Sequence, residues 1–570
     1  MSAISALPPG TLLIAGALLL PLLRGAALKA WLLALPLLSF AHQLQAPEAG
    51  PPLQFFGLEL VLLRADPLAL AFGVVFHLAA LIAALYALQL QDRMQHAAGL
   101  LYAGAAIAAL FAGDLITLFI FWEFTALASV LLIWARRSER ARHAGLRYLV
   151  VQVGSGVLLL AGAALHYRAT GSLAFGALDP QSPGGALILL AFGVKAAFPL
   201  LHNWLQDAYP EATVTGTVFL SAFTTKLAIY ALARGFAGTE LLIPIGVTMT
   251  FFPIFYAVVE NDMRRVLAYS LNNQLGYMVV GIGVGTPLAL SGTVAHAFSH
   301  IIYKSLLFMA MGAVLLRVGR IGASQLGGLY RSMPWTTAFC IVGAVSISGL
   351  PLFSGFISKS LILSAAAEQH HPIAWAMLII ASAGVLKHSG IKIPYFAFFA
   401  HDSGLRVREA PLPMLIAMGA AATACLVIGV WPQLLYDILP HPVNYEPYTA
   451  AHVIGQLQLL LFAALAFALL LRFRIYPPEL RATNLDSDWL YRRALPAAIR
   501  AAARTQRRLR AAAQTRAARL GHALIAWLRR HHTPPGLLGE PWSAGATALW
   551  AALLLAASLL LFYLRTATAG

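Results

Sequence analysis

Long apolar runs recur from one end of this 570-residue chain to the other. A run of about 18 or more apolar residues is long enough to cross the hydrocarbon core of a bilayer. The composition agrees, since 60% of the residues are hydrophobic and 11% are charged, whereas soluble domains carry about 25% charged residues. The runs are continuous and not alternating, which excludes a membrane β-barrel. The sequence therefore predicts an all-α polytopic membrane protein with about 14–16 transmembrane helices.

Basic residues are distributed unevenly among the loops between these runs. The chain has 39 Lys and Arg against 22 Asp and Glu, a formal net charge of +17. When the apolar runs are counted from the N-terminus, arginines follow the odd-numbered ones. Examples are Arg24, Arg93 and the arginines within residues 136–140, 264–265 and 317–331. By the positive-inside rule, these loops are predicted to be cytoplasmic and the N-terminus outside. The excess charge is interpreted as a topology signal and not as nucleic-acid binding.

The runs and loops divide the chain into six predicted regions. They are N-terminal membrane helices at 1–97, two groups of membrane helices at 98–234 and 240–400 that the family resemblance given below implies to be repeats, C-terminal membrane helices at 411–474, a basic amphipathic segment at 475–543 and a last membrane helix at 544–570. The basic segment has apolar residues at roughly helical spacing. Two interpretations stay open: a solvated linker touching anionic headgroups, or a helix lying along the membrane that braces the bundle.

Six ionisable residues lie near the middle of apolar runs. They are Glu123, Lys195, Lys226, Lys304, Lys359 and Lys387. A charge at the centre of a bilayer costs roughly 3 kcal/mol on insertion scales, and such residues typically mark ion pathways. The sequence therefore predicts that this chain moves charge across the membrane.

Local spacing relates these residues to one another. His296, His300 and Lys304 are four residues apart, so they share one face of a helix, and histidine exchanges protons near neutral pH. Glu123 requires a partner from another helix, for which Lys195 is the natural candidate. The pair is interpreted as a proton-passing element that opens and closes, with a static buried ion pair as the alternative.

Two of the lysine-bearing runs also contain a proline. Pro199 follows Lys195, and Pro351 precedes Lys359. Proline removes a backbone donor and clashes with the preceding turn. Interrupted helices in corresponding positions of two halves indicate a transport site, so both runs are predicted to be broken.

Other polar residues flank the predicted path. Lys387 is followed by His388 and Lys392, and Lys392 is predicted to extend to the cytoplasmic interface. Ser270 and the polar residues at 272–274 are predicted to hold water between the ionisable groups.

Motifs for redox or nucleotide chemistry are missing from the sequence. It contains no Gly-x-Gly-x-x-Gly and no P-loop, and Cys340 and Cys425 lie far apart within apolar runs. Two such cysteines form neither a disulfide framework nor an iron–sulfur or metal site. We therefore expect no cofactor, no metal and no enzymatic reaction in the chain itself, with energy from an ion gradient or from a partner.

Five passages, at 114–123, 195–205, 262–270, 296–304 and 355–359, resemble the antiporter-like subunits shared by Mrp-type Na⁺/H⁺ antiporters and the membrane arm of respiratory complex I. The resemblance covers roughly residues 100 to 365, in the family's order. It implies two inverted five-helix repeats, each with one discontinuous helix. It also implies other membrane subunits as partners in a hetero-oligomeric complex.

The same resemblance implies a role for each site residue. Glu123 would pair with Lys195, Lys226 would link that pair to His300, and Lys304 would lead to Lys359 on the exit side. The lysines at 226 and 359 resemble the D-type member of the Mrp antiporter in particular.

Three functions are compatible with this pattern. The first is a subunit that carries protons in exchange for Na⁺ or K⁺. The second is a proton-pumping subunit of a redox complex linked to a quinone or a hydrogenase. The third is an uptake module for another solute, such as inorganic carbon, that uses the same proton path.

Overall fold

The computed structural model of the protein describes residues 7–480, 484–534, 536 and 539–567, and helices form almost all of its regular structure. The first helices are α1 (Gly10–Leu18), α2 (Gly25–Leu44), α3 (Pro67–Ala87), α4 (Arg93–Leu110), α5 (Leu115–Trp134), α6 (Glu139–Thr170), α7 (Pro183–Lys195), α8 (Asn203–Ala208), α9 (Gly216–Ala222), α10 (Thr224–Gly235) and α11 (Leu242–Val259). The later helices are α12 (Met263–Val284), α13 (Pro287–Val318), α14 (Pro334–Ser348), α15 (Ser354–Glu368), α16 (Pro372–Val385), α17 (Lys392–Pro394), α18 (Leu412–Val430), α19 (Gln433–Tyr436), α20 (Ala450–Arg472), α21 (Leu495–His532) and α22 (Ala544–Ala567). A small antiparallel hairpin, β1 (Leu53–Phe55) with β2 (Leu58–Leu60), connects α2 to α3.

Tighter and wider turns interrupt this pattern. The 3₁₀ turns lie at Leu20–Leu22, Tyr209–Glu211, Ala323–Gln325 and Leu329–Arg331, and the π turns at Leu386–Ile391, Tyr395–Phe399 and Leu490–Ala494. Single π turns inside α-helices are frequent at functional sites.

Eleven spans among the described residues are helical, long and apolar enough to cross a membrane, and three shorter apolar helices accompany them. The predicted polytopic all-α fold is confirmed. The spans differ in position within the bundle. The span Gly216–Gly235 is fully enclosed by protein, whereas only 17% of the span Ala450–Arg472 is buried. The enclosed helices α10 and α13 contain Lys226, His300 and Lys304, so these ionisable groups lie away from lipid.

The order of elements in the first half recurs in the second. Asp114 caps the N-terminus of α5, and Asp262 caps that of α12 in the same way. The next helices, α6 and α13, both have 32 residues and end at a left-handed glycine, Gly171 and Gly319. A pair of short helices follows in each half, α7 with α8 and α14 with α15. The inverted relation between the halves stays a prediction.

Contacts between loops distinguish the two ends of the bundle. At one end, which we call the basic end, a surface cavity of about 500 Å³ is lined by residues from four loops, among them Arg136, Arg140, Gln206, Asp207, Glu260, Asp262, Arg265 and Arg320. At the opposite end, the Arg234 guanidinium donates two hydrogen bonds to Asp66, at 2.6 and 2.7 Å. The cavity at the basic end is called the end cavity below.

Both predicted helix breaks are present. The chain leaves helical geometry between α7 and α8, and again between α14 and α15. Ala197, Leu200 and Leu352 in these breaks have φ values of 61°, 69° and 74°. Such left-handed conformations are unfavourable for residues other than glycine and cluster at functional sites. The breaks also leave backbone carbonyls without helical partners, which makes them available to side chains.

The chain forms two compact units, Met1–Asp486 and Ser487–Gly570. The first contains the bundle and extends beyond α20, so that residues 475–480 and 484–486 pack with it. The second contains α21 and α22. Helix α21 has 38 residues with no buried member and a strongly amphipathic pattern, and it lies within the basic segment predicted at 475–543. At 1.5 Å per residue its length is about 57 Å.

Candidate functional site

Lys195 lies at the end of α7, where the helix breaks. Its ammonium is fully buried and donates hydrogen bonds to the Trp122 carbonyl at 2.6 Å and to the Thr125 hydroxyl at 2.9 Å, both on α5. The same ammonium lies 4.2 Å from the centre of the Trp122 ring. Glu123 is therefore a neighbour along α5, but the described residues show no ion pair within 4.0 Å between Glu123 and Lys195. In this structure the predicted pair is open.

Glu123 lies against α6. A Cβ atom built on Gly156 would come within 1.6 Å of Glu123 Oε1, so the carboxyl group occupies the space that a side chain at 156 would fill. Glu123 Oε1 is buried and accepts no hydrogen bond from the described residues. Gln152, one turn earlier on α6, is also buried with its amide unpartnered. The site around Glu123 is thus polar and incompletely satisfied by protein.

Lys226 is held at a break that the sequence did not predict. The run expected as one helix is interrupted at Phe223, between α9 and α10. The break frees the Ser221 carbonyl, which accepts a hydrogen bond from the buried Lys226 ammonium at 2.5 Å. The Tyr102 hydroxyl secures the start of α10 by accepting a hydrogen bond from the Thr224 amide at 2.8 Å.

The histidine–lysine face of α13 forms a continuous buried line. His296, His300 and Lys304 are each fully buried. The rings of the two histidines are 6.2 Å apart. Neither His300 nitrogen, nor the Lys304 ammonium, has a hydrogen-bond partner among the described residues. The line is therefore a row of buried groups with free donors and acceptors.

Lys359 extends this line to the second break. Its ammonium reaches back from α15 and donates to the Ile347 carbonyl in the last turn of α14, at 2.6 Å. The neighbouring Ser358 hydroxyl is 3.0 Å from His296 Nδ1. The arrangement resembles that of Lys195 because each lysine satisfies a backbone or hydroxyl oxygen near a broken helix.

Four of the predicted lysines thus share one property. Lys195, Lys226, Lys304 and Lys359 are at most 3% exposed, and among the residues that the structure describes no carboxylate lies within 4.0 Å of their amines. Buried polar atoms without protein partners are usually satisfied by ordered water. Of the predicted water-holding residues, Asn272 has both amide atoms unpartnered, whereas the Ser270 hydroxyl accepts a hydrogen bond from Ser389.

Lys387 and Lys392 differ from the remaining candidates. Lys387 is half-buried and lines an apolar surface cavity with Phe251 and Ile380, away from the buried line. The extension of Lys392 to the interface stays a prediction: its side chain is fully enclosed and pairs with Glu479 at 3.0 Å, and its ammonium donates to the Glu260 carbonyl at the end of α11. The wide π turn at Leu386–Ile391 changes which residues face inward.

Two further buried groups lie near these residues: His388, which the sequence analysis named without giving it a role, and Glu479, which it did not name. His388 is buried, and its ring lies within electrostatic reach of Lys304 and Lys359. Glu479 comes from the segment after α20, whose position no local pattern indicates. The four-residue spacing between His388 and Lys392 could have indicated His388, whereas no sequence signal indicated Glu479.

Comparison with known proteins assigns this chain to a class of membrane protein, the antiporter-type subunit. A family model described as "NADH:quinone oxidoreductase/Mrp antiporter, TM" matches residues 112–385. The N subunit of NADH-quinone oxidoreductase from Desulforudis audaxviator is 32% identical over 355 residues, which is 57% of this chain and 70% of that protein. The chain belongs to this family of membrane subunits.

Further comparisons agree with this assignment. The D-type subunit of the Na⁺/H⁺ antiporter from Alkalihalophilus pseudofirmus is 32% identical over 312 residues, or 51% of this chain. The match spans 62% of that relative's own length. A chain of the Mrp complex from Dietzia sp. DQ12-45-1b has the same fold, with a TM-score of 0.68 and 23% identity, and the match covers 81% of this chain and 100% of that one.

Proposed function

We propose that this chain is the proton-translocating subunit of a multisubunit Na⁺/H⁺ or K⁺/H⁺ antiporter. The observation that carries the proposal is the row of buried amines and imidazoles, from Lys195 to Lys359, which have no carboxylate within 4.0 Å in the described part of the chain. A buried ammonium without a carboxylate is costly in a bilayer. Groups of this kind persist where they exchange protons and where water enters between them.

The relay would operate by opening and closing the Glu123–Lys195 pair. In the open arrangement, Lys195 is bound to a carbonyl and a hydroxyl on α5. When Glu123 turns toward it, the added negative charge favours the protonated amine. When the pair opens again, Lys195 releases its proton toward Lys226. Lys304, His300 and His296 then carry it to Lys359 at the second break, since the Ser358 hydroxyl beside Lys359 is 3.0 Å from His296 Nδ1.

Partners follow from the same proposal. By its name, the D-type relative is a subunit of a Na⁺/H⁺ antiporter, and the solved chain with the same fold is part of the Mrp complex. We infer that other membrane subunits bind this chain and that one of them supplies the path for Na⁺ or K⁺.

The proposed location is the bacterial inner membrane, with the N-terminus outside. The end cavity supports this orientation because it gathers loops that the positive-inside rule assigns to one side, including those of Arg136, Arg265 and Arg320. The opposite end has few basic residues. Reporter fusions at these loops test the orientation.

The test of the proposed function uses the complete complex in everted membrane vesicles, with proton movement followed by a ΔpH-sensitive dye. Glu123→Gln and Lys195→Ala should abolish coupled proton movement while the chain still inserts and assembles. Glu59→Gln and Lys29→Ala change exposed residues of the same types and should retain it. Full activity in both relay variants would contradict the mechanism.

A second candidate function is a proton-pumping subunit of a complex I-like redox complex. It is favoured by the NADH-quinone oxidoreductase relative, of which the matched region covers a larger share than of the D-type antiporter relative. Purification of the chain with its native partners separates the candidates. Small membrane subunits of an antiporter favour the first, and iron–sulfur subunits favour the second.

A further inference from the structure

A second polar route leaves the buried line near the π turn of Leu386–Ile391. His388 and Lys392 lie about one turn apart on this irregular stretch, and both are fully buried. His388 Nδ1 is 2.9 Å from the Ser389 hydroxyl, while its Nε2 has no hydrogen-bond partner among the described residues. His388 therefore has a ring nitrogen available to take or release a proton.

Lys392 lies between this histidine and the basic end of the bundle. Its ammonium donates to the carbonyls of Val258 and Glu260, at 2.6 and 2.7 Å. It also pairs with the Glu479 carboxylate at 3.0 Å, and the two side chains are only 0% and 8% exposed. Apart from this ion pair, neither oxygen of Glu479 accepts a hydrogen bond from the part of the chain that the structure describes.

Aromatic packing holds Glu479 in place. Tyr476 lies three residues earlier, and its ring is 5.1 Å from that of Phe467 and 6.3 Å from that of Phe396. These contacts fix the segment after α20 against the helix that contains Lys392. Burial raises the pKa of the Glu479 carboxyl, and the Lys392 ammonium opposes that shift.

The route continues to the end cavity through Glu260. Asn484 donates a hydrogen bond to Glu260 Oε2 at 3.2 Å, and Arg265 lies 3.5 Å from the same oxygen. Glu260 and Arg265 both line the end cavity. A chain of polar groups thus runs from His388, beside the buried line, to the surface at the basic end.

We propose that His388, Lys392 and Glu479 form a side branch of the proton relay, which joins the buried line to the end cavity. The proposal rests on the proposed function. In one direction, Lys392 Nζ–H transfers its proton to a Glu479 oxygen, which leaves a neutral amine and a neutral carboxylic acid. The acid releases the proton to water beside Glu260, which lines the end cavity, and the amine takes a proton from the His388 imidazolium. The reverse sequence carries a proton inward.

Lys392→Arg tests this proposal because it separates charge from proton exchange. Arginine keeps the ion pair with Glu479, but its reference pKa is at least about two units above that of lysine, so its deprotonated fraction is about a hundredfold smaller. In the complete complex, proton movement should fall at least about tenfold. Hydrogen exchange of residues 475–480 should stay unchanged. Lys29→Arg, at an exposed lysine, is the matched control.

A double variant tests the same proposal if the Lys392→Arg variant fails to fold. Lys392→Met with Glu479→Gln removes both buried charges together and leaves neither unpaired, so assembly should persist with slowed proton movement. Full transport in Lys392→Arg, or in the double variant, overturns the branch. Slow transport in Lys392→Arg together with faster hydrogen exchange of residues 475–480 also overturns the branch. In that case the Lys392–Glu479 pair only holds the segment after α20 in place. If Glu123→Gln has no effect either, the proposed function itself fails.

Discussion

Gly156 gives a sharp test of the position of Glu123. A Cβ atom at 156 would lie 1.6 Å from Glu123 Oε1, and ordinary contacts begin at 3.4 Å, so Gly156→Ala must displace that oxygen by about 1.8 Å. The clash is with the free end of a flexible side chain, so the fold has room to adjust. Misplacing a reacting group by about 1 Å typically costs roughly a hundredfold in rate. We therefore expect proton movement to fall roughly tenfold to a hundredfold.

Gly154→Ala is the matched control on the same helix. A Cβ atom there meets nothing within 4 Å, and both substitutions favour the helix by about 1 kcal/mol through lower backbone entropy. The assay is dye-monitored proton movement in everted vesicles, corrected for the amount of assembled complex. Equal transport by the two alanine variants would refute the conclusion that the location of the Glu123 carboxyl matters.

Two further predictions concern stability. The buried Arg264 guanidinium donates hydrogen bonds to the carbonyls of Tyr209, Pro210, Ala212 and Thr213. Arg264→Ala should therefore lower the free energy of unfolding by at least about 3 kcal/mol. An unchanged melting temperature in detergent would contradict this. In the loop after the second π turn, a hydrogen bond from Arg406, with one from the Gly404 amide, holds the pKa of Asp402 below its usual range. Because the pKa of Asp402 is lower in the folded loop than in the unfolded chain, ionised Asp402 stabilises the loop at any pH above the unfolded-state pKa near 4. The loop loses this stabilisation as the pH falls from there through the folded-state pKa. Protection of the Gly404 amide from hydrogen exchange should decline in that acid range, and Asp402→Asn should lower it at neutral pH.

Much of the fold could be predicted from local pattern. Runs of apolar residues indicate spans because every backbone polar group in lipid has to be satisfied within the helix. Pro199 and Pro351 located the two breaks, and the spacing of His296, His300 and Lys304 located the buried face of α13. Each of these signals depends on neighbours within a turn or two of sequence.

Other features depended on contacts between distant segments. The break at Phe223 has no proline, so only packing against α4 and the freed Ser221 carbonyl make it visible. The inward position of Lys392 follows from a π turn and from Glu479, which is far away in sequence. Charge alone does not say which carboxylate will meet which amine.

The sequence by itself determined that this chain spans a membrane many times and buries an unusual number of amines within it. That much follows from transfer free energies, which are summed residue by residue. The tertiary structure alone decided that Glu123 and Lys195 stand apart, that His388 is fully buried while Lys387 is only half-buried, and that the segment after α20 supplies a buried carboxylate. Those outcomes depend on helix packing and on irregular turns, where small changes in backbone winding select which side chain faces inward.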